Sequence, residues 1–194
     1  RRTDALDLSV QGILATGPLR HDLTVGLLGS RAKYHFQRQA FNYAGTGNVQ
    51  GTAITPDAPA LTDENTHRDE RTTEAYVRDA IALTDTITTW VGLRHSRLHR
   101  QSIRTDGSRA TDYRQSFTTP WLAVSHEFAQ DQLVYASWGQ GIESDVVPGR
   151  ARYTNGGQAL PSLKSRQIEI GIKGSTDELE WNLAGFDIQR PQFA

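Results

Sequence analysis

The sequence predicts an all-β fold: an antiparallel up-and-down transmembrane β-barrel. Three observations predict it. First, long and short connections take strict turns. Eight extended segments fall at about residues 3–16, 23–37, 71–83, 87–101, 115–128, 133–143, 164–174 and 179–190. The connections between them run about 6, 33, 3, 13, 4, 20 and 4 residues. Tight turns therefore lie on one side of a sheet, and long loops, at about 38–70, 102–114 and 144–163, lie on the other. Second, apolar residues inside the segments recur at every other position, the period of a strand with one greasy face. Third, helical periodicity is hard to find. No stretch approaches the ~18 consecutive apolar residues that mark a transmembrane helix, whereas a barrel strand needs apolar side chains at alternate positions only.

The segments justify themselves in turn. Leu6, Leu8 and Val10 alternate with Asp7, Ser9 and Gln11, and Gly17-Pro18 opens a turn. Leu23, Val25 and Leu27 form the next apolar face, interrupted by Leu28. Residues 38–70 hold Gly45, Gly47, Gly51, Pro56 and Pro59 and then a polar run from Asp63 to Glu70, which reads as loop. The segment from Ala75 to Leu83 is untidy, because adjacent Arg78 and Asp79 put a charge on each face. After Thr84-Asp85-Thr86, the residues Ile87, Thr89, Val91 and Leu93 alternate with Thr88, Trp90, Gly92 and Arg94. The polar turn Gln130-Asp131-Gln132 leads to the run Leu133–Glu143. Residues 144–163, with Pro148, Gly149, Gly156, Gly157 and Pro161, form another loop. Ile168, Ile170 and Ile172 then alternate with Glu169, Gly171 and Lys173, the cleanest pattern in the chain. The last pair is closed by Ser175-Thr176-Asp177-Glu178, and Trp181 and Leu183 alternate with Glu180 and Asn182. A water-soluble β-sandwich also alternates and remains the competing fold. Long loops recurring on one side count against it.

Composition narrows the classes. The chain has 194 residues, one domain by length, with no domain linker. It has no Met, so a mature, excised or partial chain is expected. Arg1-Arg2 is followed by no apolar core and is not a signal peptide. With 21 basic and 22 acidic residues the net charge is −1, which argues against a nucleic-acid partner. Without Cys there is no disulfide framework and no thiolate metal site.

Catalytic and metal motifs are weak. His95 and His99 share a strand face but stand ~13 Å apart along it, too far for one zinc. His126-Glu127 lacks a second histidine at helical spacing. Gly45-Thr46-Gly47 and Gly139-Gln140-Gly141 lack the strand–turn–helix setting of a phosphate cradle. There is no Gly-x-Ser-x-Gly elbow. Asp63-Glu64 and Asp69-Glu70 offer oxygen ligands for Ca²⁺ but read more simply as hydrated loop. Trp90, Trp121, Trp138 and Trp181 are candidates for interfacial aromatic girdles.

The run Leu133-Val134-Tyr135-Ala136-Ser137-Trp138-Gly139-Gln140-Gly141-Ile142-Glu143 resembles the "YASYSQGF" strand of TonB-dependent outer-membrane receptors, in the ferric-siderophore branch. Lys164-Ser165-Arg166-Gln167-Ile168-Glu169-Ile170-Gly171-Ile172-Lys173 resembles their "K-x-x-Q-x-E-x-G-x-K" strand, and residues 181–188 fit its partner. Tyr76-Val77-Arg78-Asp79 resembles "Y-x-Q-D" with Arg78 in place of Gln, and Gly92-Leu93-Arg94-His95 resembles "G-x-R-Y" with His95 in place of Tyr. The likeness is good over about residues 70–191 and loose before.

The resemblance implies about eight strands of an expected 22-stranded barrel in the bacterial outer membrane, with the plug domain and the TonB box absent from these residues. It implies a receptor and transporter, not an enzyme, with no covalent cofactor. The ferric siderophore is its ligand. Its partners are the TonB–ExbB–ExbD complex, through the plug region, together with outer-membrane lipid and lipopolysaccharide. Anionic, partly aromatic chelates suit guanidinium forks and phenol faces. The candidate ligand-binding residues are Arg150, Arg152 and Tyr153 in one loop, and Tyr34, Arg38 and Tyr43 around the exit of the second segment, where His35, Phe36 and Phe41 also lie. Arg97, Arg100, Arg104, Arg109 and Arg114 are weaker candidates. All of these cations could equally face lipopolysaccharide phosphates or water. A porin-like or adhesive barrel, and an outer-membrane enzyme, are the other functional classes left open.

Overall fold

The computed structural model describes residues 1–40, 43, 45–54, 60–143, 147, 153–156, 158 and 160–191. Eight strands follow one another: β1 (Arg2–Thr16), β2 (Leu19–Tyr34), β3 (Thr66–Ala82), β4 (Ile87–Arg104), β5 (Thr111–Ala129), β6 (Gln132–Glu143), β7 (Leu163–Ser175) and β8 (Glu180–Gln189). They form one sheet in chain order, each strand antiparallel to the next. β1 and β8 are its edges, so the barrel is not closed within this chain.

Local chemistry accounts for the tight end. Gly17 has φ 60, and Pro18 is held at negative φ by its ring, the signs of a type II′ hairpin turn. The Thr84 hydroxyl accepts the amides of Thr86 and Ile87 at 3.3 and 3.0 Å. Thr176 accepts the Leu179 amide at 3.2 Å. Between β5 and β6, Asp131 takes a left-handed conformation (φ 56) beside a bulge between Glu127 and Ala129.

The strands outrun the apolar alternation. β3 starts at Thr66, β4 reaches Arg104 and β5 starts at Thr111, in stretches that read from sequence as loop. The reason is that the backbone ladder continues after the apolar stripe ends. Polar residues support it there: Arg31 with Asp69, Arg100 with Glu70, and Ser102 with Thr111. Alternation of hydrophobicity reports where lipid or core is met, not where pairing stops.

A sandwich is excluded by the single layer. Among the described residues the buried apolar side chains are Leu98 and Val147. Ile168 and Ile170, which a sandwich would bury, are 53% and 60% exposed. The register collects the apolar residues on one face: Leu8 opposite Leu27, Val10 opposite Val25, Val25 opposite Val77 and Val77 opposite Leu93. From Leu6 to Leu14 this stripe measures ~27 Å along β1. At a strand tilt of ~40° that is ~21 Å of height, close to the ~25 Å apolar belt of outer-membrane barrels.

Arg78 and Asp79 are also resolved. Each stands on the face its parity dictates. Asp79 lies on the apolar face and is held by His21, with Nδ1 2.7 Å from Oδ2. Of the tryptophans, Trp138 (opposite Ile168) and Trp181 (opposite Gly174) stand on the apolar face. Trp90, opposite Ala80 and Ala123, and Trp121, opposite Gly92, stand on the other, so those two belong to no lipid-facing girdle.

Candidate functional site

The face opposite the apolar stripe is built of polar cross-strand pairs. Gln11 donates to Asp22 at 2.7 Å, and the Tyr76 hydroxyl donates to Asp7 at 2.9 Å. Ser96 donates to Glu74 at 3.1 Å, and the Arg94 Nε stands 3.4 Å from the same carboxylate. Tyr135 donates to Glu169 at 2.6 Å, with the Lys173 ammonium 5.0 Å from the Tyr135 ring centroid. Higher up, Arg100 is 5% exposed and its Nε lies 2.6 Å from Glu70. Several aromatic rings on this face lie over a glycine directly across the ladder: Tyr76 over Gly26, Trp121 over Gly92 and Tyr135 over Gly171. A Cβ at any of the three would collide with the ring, so glycine is what lets the ring lie flat. The result is a hydrated wall of carboxylates, guanidinium groups and phenols.

The long connections gather at the opposite end from the tight turns and bond to one another. Thr105 donates its amide to the Asn65 carbonyl at 2.9 Å, and Arg104 stands 3.7 Å from Asp63. Arg109 donates to the Gly156 carbonyl at 3.3 Å, tying the 105–110 connection to the loop after β6. Ser162, at the end of that loop, donates its amide to Gln115 on the polar wall at 3.2 Å. The 105–110 turn has its own lock. The Ser108 hydroxyl and amide, the latter at 2.9 Å, hold the Asp106 carboxyl below its usual pKa.

The candidate residues separate here. Tyr34 closes β2 on the polar face, stacked near-parallel on Phe36 with ring centroids 6.4 Å apart. Arg1 and Arg68 lie 5.0 and 5.9 Å from its ring centroid. Arg38 pairs with Glu64 at 2.5 Å, so its charge is already matched. Tyr43 is exposed and its hydroxyl meets that of Thr46 at 2.9 Å. Tyr153 is half-buried, in a turn where its carbonyl accepts the Gly156 amide at 3.3 Å. Arg150, Arg152 and Phe41 lie outside the described residues.

The weaker arginine candidates divide by parity. Arg100 is on the polar wall. Arg97 and Arg114 are on the same face as the apolar stripe, through pairing with Thr73, Ser116 and His99. His95 meets Thr118 at 2.9 Å and His99 meets Asp112 at 3.0 Å, so the two histidines have separate partners. No group of three metal-ligating side chains occurs among the described residues. The Glu70–Arg100 and Tyr135–Glu169 pairs escape sequence reading, since each joins residues at least 30 positions apart. Strand parity was the available signal.

Comparison with known proteins now bears on this arrangement. The family described as "TonB dependent receptor-like, beta-barrel" matches residues 2–194. Among solved structures, the ferric preacinetobactin receptor BauA of Acinetobacter baumannii is 21% identical with a TM-score of 0.73, over 98% of this chain and 29% of its own. The alcaligin outer-membrane receptor FauA of Bordetella pertussis is 21% identical with a TM-score of 0.68, over 97% and 29%. The siderophore receptor PiuA of Acinetobacter baumannii is 17% identical with a TM-score of 0.67, over 95% and 31%. No curated protein matches. The chain thus spans less than a third of the length of these receptors. Its apolar stripe is the lipid-facing side of a barrel wall and its polar face the lumen. The chain belongs to the TonB-dependent receptor-like β-barrel family, a family of outer-membrane transport receptors and not of enzymes.

Proposed function

We propose that the protein containing this wall is an outer-membrane receptor that takes a ferric siderophore from outside the cell and imports it with energy from the TonB–ExbB–ExbD complex. These residues supply wall and external loops. Energy coupling belongs to a plug region, which the resemblance implies elsewhere in the protein. The observation that carries the reading is the lumenal wall itself. Paired carboxylates, guanidinium groups and phenols rise from it into loops that bond to one another around the mouth. Such a surface stays hydrated, yet offers charge-assisted hydrogen bonds and flat faces to an iron chelate.

Contacts to the chelate are assigned to Arg150, Arg152 and Tyr153 in the loop after β6, and to Tyr34, Arg38 and Tyr43 around the exit of β2. Tyr34 already attracts two guanidinium groups to its ring, a polarised aromatic setting suited to an anionic, aromatic ligand. The lipid-facing stripe rests in outer-membrane lipid, with lipopolysaccharide at the outer rim.

The test is uptake of ⁵⁵Fe-labelled siderophores, one chelate class at a time, by iron-starved cells carrying or lacking the intact gene. Uptake of at least one class that depends on both the gene and TonB supports the reading. Uptake of none, or diffusion of unrelated small solutes without TonB, rejects it and favours a passive pore. With the chelate known, Arg150→Ala/Arg152→Ala is expected to weaken its binding at least tenfold.

A further inference from the structure

We propose that His67, with His35 beside it, is a proton-sensitive lock on the base of the external loop between β2 and β3. The neutral imidazole holds the base closed, and protonation opens it. The lock stands on the geometry of the loop base alone, whatever ligand the receptor carries.

The register brings the two rings together. Tyr34 opposite Arg68 is the last ladder pair between β2 and β3, and His35 and His67 are the next residues to face each other. Their ring centroids lie 5.4 Å apart, with 49° between the ring planes. The Phe36 amide donates to His67 Nδ1 at 3.2 Å. A backbone N–H can only donate, so Nδ1 carries no proton and Nε2 carries the ring's one hydrogen. The imidazole thus does at this step what a carbonyl does lower in the ladder. Just beyond it the chain is clasped by the backbones of Gln39 and Asp63, N to O at 3.0 and 2.9 Å, and by the Arg38–Glu64 ion pair at 2.5 Å. The imidazole contact is therefore the first tie above the ladder, at the point where the two loop ends separate.

Protonation reverses that contact. An imidazolium donates at both nitrogens, so an Nδ1–H meets the Phe36 N–H and the acceptor is lost. The surroundings offer the new charge no free counterion. His67 stands opposite the apolar Ile103 of β4. The cleft it lines, of about 580 Å³, also holds Lys33 and His35 from β2, Arg68 and Asp69 from β3, and Asp112 from β5. Both carboxylates are engaged elsewhere. Arg31 holds Asp69 at 3.0 and 2.5 Å, and Asp112 takes His99 at 3.0 Å and Gln101 at 2.8 Å. On β1, Arg2 stands opposite Lys33 with Asp4 as its own partner at 2.9 Å, and Arg1 lies against the Tyr34 ring. From β4, Arg104 reaches Asp63 at 3.7 Å. A second imidazolium at His35 adds like charge across the gap between the rings. The closed base thus binds fewer protons than the open one, so closure is present at high pH and lost as pH falls. Imidazole is the side chain that changes charge between about pH 5 and 8. Arg38 and Tyr43 ride on this loop, so chelate binding that uses them weakens as the base opens. That consequence rests on the transport reading, and the lock does not.

The experiment uses the intact receptor in detergent and follows amide hydrogen exchange by mass spectrometry in peptides covering residues 35–40 and 60–67. Each rate is divided by that of an unstructured chain at the same pH, which removes the intrinsic pH dependence. Between about pH 8 and about pH 5 the protection of these peptides is expected to fall about fivefold, the worth of one hydrogen bond. His67→Asn sets an amide oxygen near the place of Nδ1 and does not titrate, so its protection is expected to stay at the high-pH level throughout. His67→Leu has no acceptor and is expected to be open at both ends of the range. His35→Gln removes one of the two charges and is expected to reduce the fall without reversing it. Heat-modifiable gel mobility selects folded protein, and should the Leu variant not fold, the Asn variant decides. Protection that does not change with pH in the parent overturns the proposal. So does a fall that survives in folded His67→Asn, which would assign it to the carboxylates of Asp63, Glu64 and Asp69.

Discussion

The His21–Asp79 pair should behave as a unit whose halves are worth more together than apart. His21 sits opposite Leu14 and Ile81, and Asp79 opposite Leu23 and Val91, so a hydrogen-bonded polar pair is embedded in the apolar stripe. The contact is 2.7 Å, and the two side chains keep 18% and 16% exposure. His21→Leu leaves the Asp79 carboxylate on a lipid-facing surface without its partner. Breaking a fully buried pair costs ~3–5 kcal/mol. The residual exposure, together with the smaller penalty for acids away from the bilayer midplane, reduces this to ~2–3 kcal/mol. His21→Leu/Asp79→Val removes both polar groups and fills the stripe with apolar surface, so the double variant is expected within ~1 kcal/mol of the parent. A coupling energy of ~2 kcal/mol follows from the cycle. The assay is guanidinium unfolding of the intact receptor in lipid vesicles, followed by tryptophan fluorescence, comparing midpoints at constant slope. Were the single variant no less stable than the double one, the pair would contribute nothing through its contact, and the reasoning would be refuted.

Other consequences can be checked in the same preparations. Gly92→Ala places a Cβ into the Trp121 indole, so the ring must leave its seat. A loss of ~1–3 kcal/mol with an altered Trp121 emission is expected, and unchanged emission would contradict the ring-over-glycine packing. Tyr135→Phe deletes the donor to Glu169 and should lower the unfolding midpoint, while Tyr135→Phe/Glu169→Gln should lower it little further. The Asp106 carboxyl, held below the usual carboxylate range by Ser108, contributes stability to its turn above that range. The contribution is lost as pH falls through the lowered value. Amide exchange at Ser108 should therefore quicken only in acid below that window, and Asp106→Asn should abolish the dependence.

Much of the architecture was legible because strand chemistry is local. Gly17-Pro18 marks a tight turn by φ alone, and Ile168, Ile170 and Ile172 mark a lipid-facing stripe by period alone. The strand tops were not legible. Thr66–Glu70 and Ser102–Arg104 read as loop because their side chains are polar, yet their backbones pair, and pairing leaves no mark on hydropathy. The candidate site was legible as composition, arginine and tyrosine near the long loops, but not as geometry. Arg97 and Arg100 are three residues apart and share one candidate group in the sequence. Opposite parity sends the first outward and buries the second beside Glu70 on the lumenal wall.

The sequence by itself determined an all-β chain, the number of strands, the alternation of tight turns with long loops, and the receptor family its strands resemble. Each of these is carried by neighbours in the chain, through turn dihedrals or the two-residue period. Tertiary structure decided what each charge meets. His21 finds Asp79 across 58 positions, and Arg71, His99 and Arg114 align only through the register of three strands. A slip of one residue would turn every one of those side chains to the other face. Register is a property of pairing over distance, and no local pattern contains it.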